Sequence, residues 1–215
     1  MYNLLLDKQL SVILNTMSIG ILANKDKIGN IMILLAERLN PLYHTKLIKL
    51  LYLIDEAAVK DDGIPITWLD YKVWQFGPVA PETFYIKDSD HLFTHYISTI
   101  KSDKGTIIIP VGQLDKTLFS EYEFEIIDKV ISNYGKLSSE DLVTLTHEQD
   151  SLWSITKQEN DIDFVNSLAN ISNVSIDFKR LIAGDKQKLS NYEGAYEMIC
   201  FNLPSKISVL EECIR

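Results

Sequence analysis

Residues 44–84 of the chain read HTKLIKLLYLIDEAAVKDDGIPITWLDYKVWQFGPVAPETF, and this stretch decides the fold. Its first half has apolar residues at helical spacing, which predicts a helix over about residues 43–60 near the centre of the core. The apolar stripe consists of Leu47, Leu51, Ile54 and Ala58. Because Lys46 and Lys49 are three residues apart, we expect both at one edge of this stripe.

The second half of the stretch changes character and becomes rich in β-branched and aromatic residues. Residues 66–76 (ITWLDYKVWQF) predict a short strand, and the following Gly77-Pro78 predicts a turn. Pro81 suits the first turn of a further helix. The stretch therefore predicts a central helix followed by a small β element.

Three aromatic residues of this β element have two possible roles. Trp68, Trp74 and Phe76 either pack in the core, the better expectation for any one of them, or bind a partner, since large aromatic residues dominate protein interfaces. An aromatic segment beside Lys46 and Lys49 is where we expect an interface.

The remaining sequence predicts mostly helices. A strand is expected within residues 106–111, and residues 88–101 are ambiguous, with a helix as one reading. Helices are predicted over residues 27–40 and 121–134, the second capped by Ser120 and Glu123 and ending at Gly135, and another helix is predicted to start at Ser138. Four further helices are predicted near residues 161–169, 176–183, 187–201 and 204–214. Asn202 and Pro204 separate the last two. The predicted fold class is mainly α, or α+β at most: a compact helical bundle with a small, short-stranded β element. We expect an N-terminal extension (1–27), a domain (28–158) and a helical C-terminal extension packed on it (159–215).

Charge is unevenly distributed along the 215 residues, whose net charge is −9. Residues 111–215 carry 10 basic and 18 acidic groups. Nucleic-acid binding requires clustered lysine and arginine, so this half does not favour DNA or RNA and instead suits a basic protein partner. The alternative is that the acidity only keeps the protein soluble. The N-terminal apolar run, residues 10–23, is too short for a membrane span, and we expect a cytoplasmic protein without a membrane partner.

Candidates for chemistry are few. His91 and His95 have i, i+4 spacing, but Leu92 stands where a zinc-peptidase helix has glutamate. Ser138, His147 and Asp150 are triad residue types without the turn that exposes a nucleophile, and Ser138 suits a helix cap better. We expect no cofactor. Two other functions remain as alternatives to a protein-binding role. One is a metal-dependent or hydrolytic enzyme that uses His91, His95 and His147, and the other is a DNA-binding autorepressor.

Three blocks of the sequence carry a family resemblance. KLIKLLYLIDEAA, KVWQFGPVAPETFY and YGKLSSEDLVTLTHEQDSLW, in that order across residues 46–153, resemble the Panacea domain of the SocA-like (GepA-type) antitoxins of bacteria and phages. The matching residues are Lys46, Leu47, Lys49, Leu50, Leu51, Tyr52, Trp74, Gly77, Pro78, Val79, Tyr134, Gly135, Leu137, Ser138, Leu142, Leu145, Thr146, His147 and Trp153. Leu53, Val73 and Phe76 stand where the family more often has Tyr, Ala and Tyr.

The resemblance implies a non-enzymatic antitoxin that binds and neutralises a cognate toxin protein. It also allows an adaptor that presents the toxin to a protease such as ClpXP. The residues expected to contact the partner are Lys46, Lys49, Tyr52, Trp74, Phe76, Gly77, Pro78 and His147.

Overall fold

A computed structural model describes residues 17–18, 21–87, 92–166 and 169–213, with side chains from residue 23 to residue 201 within these ranges. The described part contains seven α-helices and seven short strands, so the mainly α prediction with a small β element is confirmed.

The elements follow one another along the chain with short connections. The helices are α1 (Lys25–Arg38), α2 (His44–Asp62), α3 (Pro81–Phe84), α4 (Glu121–Tyr134), α5 (Ser139–Thr146), α6 (Leu152–Glu159) and α7 (Lys186–Cys213). The strands are β1 (Met17–Ser18), β2 (Ile21–Leu22), β3 (Leu42–Tyr43), β4 (Lys72–Trp74), β5 (Gly77–Val79), β6 (Ile97–Ser102) and β7 (Gly105–Pro110). Three 3₁₀ turns lie at Tyr85–Lys87, Lys116–Leu118 and Phe178–Ile182.

Helix α2 occupies the centre of the core, as its apolar pattern predicts. Its buried stripe packs against α4, α5, β5 and the 3₁₀ turn Phe178–Ile182. The helix ends where Gly63 adopts a left-handed conformation (φ 92°) and its N–H donates to the carbonyl of Val59 at 3.0 Å. Burial on several sides explains why apolar residues extend beyond one face of this helix.

One hydrophobic cluster joins α1 and α2 to residues that the sequence assigns to a C-terminal extension. Phe178, Ile182 and Tyr192 are buried in the same cluster as Leu47 and Leu51. The stacking of Phe178 on Tyr52, with ring centroids 5.5 Å apart, belongs to this contact. The domain boundaries themselves stay a prediction.

A three-stranded antiparallel sheet, in the order β3–β7–β6, covers one side of the bundle. The strand predicted within residues 106–111 is confirmed as β7, which lies in the middle of the sheet. Pro110, which has no N–H to donate, is its last residue. The helical reading of residues 88–101 is wrong from Ile97 onward, because Ile97–Ser102 pairs with β7. His91 lies outside the described residues.

The strand predicted over residues 66–76 is much shorter, because only Lys72–Trp74 pair as a strand. The backbone N–H groups of Ile66 and Thr67 donate to the buried carboxylate of Asp55, at 2.8 Å and 2.7 Å, instead of to a neighbouring strand. Trp68 then adopts a left-handed backbone (φ 56°), which interrupts an extended chain.

The turn predicted at Gly77-Pro78 is displaced by two residues. Gly77 and Pro78 belong to β5, and the turn is made by Gln75 and Phe76, since Trp74 pairs with Gly77. Gly77 has φ 96°, so its glycine character is needed immediately after this two-residue turn.

The capping predictions around α4 and α5 are confirmed. Both Ser120 with Glu123 and Ser138 with Asp141 form capping boxes. Gly135, however, is right-handed (φ −62°), so a left-handed cap is absent there.

The C-terminal part contains one long helix where two were predicted. Helix α7 runs without a break through Asn202 and Pro204, because a proline weakens a helix without always ending it. The expected helix at 161–169 is not found in its described residues, 161–166 and 169, and the one at 176–183 is the 3₁₀ turn Phe178–Ile182. Within the described residues, no helix is long and apolar enough to cross a membrane.

Candidate functional site

The β4–β5 hairpin projects a turn that three other elements hold in place. We call residues 74–78 the hairpin tip. The Trp153 Nε1–H of α6 donates to the Trp74 carbonyl at 2.9 Å, and the Lys49 ammonium of α2 donates to the Pro78 carbonyl at 3.0 Å. The Nε2 of His147, just after α5, lies 3.1 Å from the Gln75 carbonyl oxygen. Three carbonyl groups of the hairpin tip are therefore satisfied by side chains distant in sequence.

The tip fits tightly against these side chains because Gly77 has no Cβ. A Cβ at this position would lie 2.7 Å from Lys49 Nζ and 2.7 Å from Thr146 Oγ1, well inside van der Waals contact. The left-handed φ of Gly77 adds a second reason for glycine. The glycine thus allows α2 and α5 to approach the backbone of the tip.

His147 is fixed on both sides of its ring. Its Nδ1 lies 2.6 Å from the Val143 carbonyl oxygen, and its ring packs on Trp153 with centroids 3.8 Å apart. The Ser154 hydroxyl donates to the backbone carbonyl of His147 at 3.0 Å. Because both ring nitrogens face backbone carbonyl groups, His147 serves here to join α5, α6 and the hairpin tip.

Lys49 is a lysine in the protein interior, with 1% of its surface exposed. Burial lowers its pKa from 10.5 to about 7. Although the sequence places Lys49 at an edge of the apolar stripe, this edge is buried, because α2 is covered on this side by the hairpin tip that Lys49 supports.

This burial makes a pH dependence of stability measurable. Because the pKa of Lys49 is lower in the folded state, protonation favours the unfolded chain; the contribution of Lys49 to stability is fully present above pH 10.5 and is lost as the pH falls towards 7. We expect the free energy of unfolding of the wild type, relative to Lys49→Met, to rise by about 2 kcal/mol between pH 7 and pH 9. Urea unfolding of both proteins at pH 7, 8 and 9 measures this difference in free energy. The exposed Lys129→Met on α4 controls for the loss of one lysine, and a pH-independent difference for Lys49→Met contradicts the assignment.

Lys46 and Tyr52 also have structural partners. The Lys46 ammonium donates to the Gly135 carbonyl at 2.6 Å, at the C-terminal end of α4, and partial burial lowers the pKa of Lys46. The Tyr52 hydroxyl, on a buried side chain, donates to Glu56 at 3.2 Å. Lys46 thus connects α2 to the end of α4, whereas the Tyr52–Glu56 hydrogen bond lies within α2.

The eight residues predicted to contact a partner thus fall into three groups by burial. The buried group consists of Lys49, Tyr52, Trp74, Gly77 and Pro78, and the half-buried group of Lys46 and His147. Phe76 alone among the eight is exposed, with 66% of its surface accessible. Contact with a partner stays a prediction for all eight.

A segment that the sequence did not single out completes the site. The Gln75 N–H donates to the Asn170 carbonyl at 2.9 Å, and the Val73 N–H donates to the Val174 carbonyl at 3.0 Å, so residues 170–174 cover the free edge of β4. Ile171, next to Asn170, is exposed like Phe76. The segment has no periodic pattern that could have predicted this pairing.

The candidates for an active site are not assembled by the described residues. His95 is exposed, and the Ser138 hydroxyl caps α5 by accepting the Asp141 N–H at 3.1 Å. Within the described ranges, no group of three or more His, Cys, Asp or Glu side chains is placed to hold a metal ion.

Comparison with known proteins identifies the region that contains the hairpin tip. A protein-family model described as "Antitoxin SocA-like, Panacea domain" matches residues 47–154, about half of the chain, which confirms the resemblance noted in the sequence. No curated protein and no solved structure matches the chain.

Proposed function

The chain belongs to the SocA-like antitoxin family with a Panacea domain, and we propose that it neutralises a cognate toxin protein by binding it directly, without catalysing a reaction. It would act in the cytoplasm, as part of a bacterial or phage toxin–antitoxin system. The observation that supports this proposal most strongly is the hairpin tip, whose backbone is held from three sides while Phe76 points to solvent.

A held tip with an exposed phenylalanine has the properties of a binding hot spot. Large aromatic side chains supply much of the energy of protein interfaces. Association is weakened by the entropy lost when mobile segments become ordered. The hydrogen bonds to Trp74, Gln75 and Pro78 order the tip before any partner arrives, so less entropy is lost on binding.

Growth rescue tests this proposal. Cells that express the toxin encoded beside this gene are expected to grow with the wild-type protein and to stop growing with Phe76→Asp, because a carboxylate cannot enter an apolar pocket of the toxin. Ile100→Asp is the matched control, since Ile100 is similarly exposed (55%) but lies on β6. Full rescue by Phe76→Asp at equal protein level would contradict the proposed interface.

The route by which the toxin is neutralised requires a separate experiment. Direct inhibition predicts that rescue persists in cells that lack ClpXP. An adaptor that presents the toxin to such a protease predicts that rescue disappears in those cells while the complex still forms. We expect persistence.

A further inference from the structure

A groove opens beside the hairpin tip. Its lining includes His147, Trp153, Lys157, Asp161 and Asp163. His147 also joins this groove to the tip through its contact with the Gln75 carbonyl. The groove therefore shares His147 with the hairpin tip that carries Phe76.

The chain segment that supplies the groove lining is acidic. Residues 147–166 contain five carboxylates and one lysine. Glu159 is paired with Arg180, whereas the other four carboxylates, Glu148, Asp150, Asp161 and Asp163, belong to exposed residues.

The single lysine of this segment leaves the negative charge largely uncompensated. Lys157 Nζ lies over the Trp153 ring, 5.4 Å from its centroid. Two exposed aspartates, Asp161 and Asp163, line the groove together with this one ammonium group, which already faces an aromatic ring.

We infer that this groove binds a segment of the toxin rich in lysine or arginine while Phe76 contacts an apolar part of the same partner; this inference rests on the proposed function. Charge decides between the possible occupants. A nucleic acid would bring phosphates to these carboxylates and be repelled. A second copy of this chain, with net charge −9, would bring the same acidic surface. A basic surface, such as a toxin needs to hold a nucleic acid or a phosphorylated substrate, is complementary.

The experiment compares two variants with the same change in net charge. Glu148→Lys, next to the lining residue His147, with Asp161→Asn alters the acidic segment of the groove, and asparagine is chosen because Asp161 has a left-handed backbone (φ 50°) that asparagine tolerates. Asp103→Lys with Glu125→Gln is the matched control on exposed residues of the β6–β7 turn and α4. The dissociation constant for the toxin encoded beside the gene is measured at about 50 and 300 mM salt, which span the range over which screening becomes strong.

We expect the groove variant to weaken binding about tenfold or more at low salt and less at high salt, with the control unchanged. Equal effects of the two variants, or none, would overturn the inference while leaving the proposed function intact if Phe76→Asp still abolishes binding. If the wild type does not bind the toxin at all, both fail. A dimer of this chain alone that the groove variant dissociates would assign the groove to a second copy and also overturn the inference.

Discussion

Replacement of Gly77 by alanine is expected to destabilise the protein by roughly 2–4 kcal/mol and to abolish neutralisation of the toxin. The new Cβ would lie 2.7 Å from both Lys49 Nζ and Thr146 Oγ1, and alanine is strained at φ 96°. Lys49 is buried and cannot swing into solvent, so the tip itself must move. Phe76 would then lose its fixed position even in molecules that fold.

Chemical denaturation measures the loss of stability, and Gly184→Ala provides the matched control. A Cβ at Gly184 meets nothing within 4 Å, so this variant should unfold like the wild type. If Gly77→Ala is as stable as Gly184→Ala, the close contact of the tip with α2 and α5 is wrong.

Replacement of Asp55 by alanine is expected to lower the free energy of unfolding by about 3–5 kcal/mol. The Asp55 carboxylate is fully buried and accepts hydrogen bonds from the Ile66 and Thr67 N–H groups, from the Thr67 hydroxyl and from the Tyr71 hydroxyl at 3.0 Å. Without the carboxylate these donors stay buried and unpaired. The chain between α2 and the hairpin would lose its attachment.

Urea unfolding at pH 7.5 tests Asp55→Ala. Burial raises the pKa of Asp55 to about 6, against the opposing effect of its hydrogen bonds, so the group is ionised at this pH. Asp55→Asn should lose less stability than Asp55→Ala, because the asparagine amide oxygen can still accept hydrogen bonds from the backbone N–H groups. The exposed Asp103→Ala should be neutral. A cost below about 1 kcal/mol for Asp55→Ala, near that of an exposed residue, would contradict this role.

Local patterns in the sequence predicted the elements whose determinants are local. The apolar spacing of α2 predicted its central position, and Ser120 with Glu123 predicted the start of α4. The helical bundle and the strand β7 followed from the same kind of signal.

Contacts between residues far apart in sequence could not be predicted in this way. The carboxylate of Asp55 binds the N–H groups of residues 66 and 67, which prevented the predicted strand. Whether Lys49 is exposed or buried depends on the hairpin that covers it, whose contact residue Pro78 lies 29 residues later in the sequence. Spacing along a helix contains no information about either contact.

The candidate site illustrates the same limit. The motif residues Lys49, Trp74, Gly77, His147 and Trp153 were read from the sequence as a set, and the structure brings all five together at the hairpin tip. Their sequence could not reveal that most of them face inward. We therefore interpret the motif as a support for the exposed Phe76.

The measurement that tests the central claim most directly is the affinity of the purified chain for the toxin encoded beside its gene, with and without Phe76. The account predicts tight binding by the wild type and by Ile100→Asp, and a loss of about 30-fold or more, near 2 kcal/mol, for Phe76→Asp that retains its fold. Equal affinity of a folded Phe76→Asp and the wild type would contradict the claim that the hairpin tip binds the toxin.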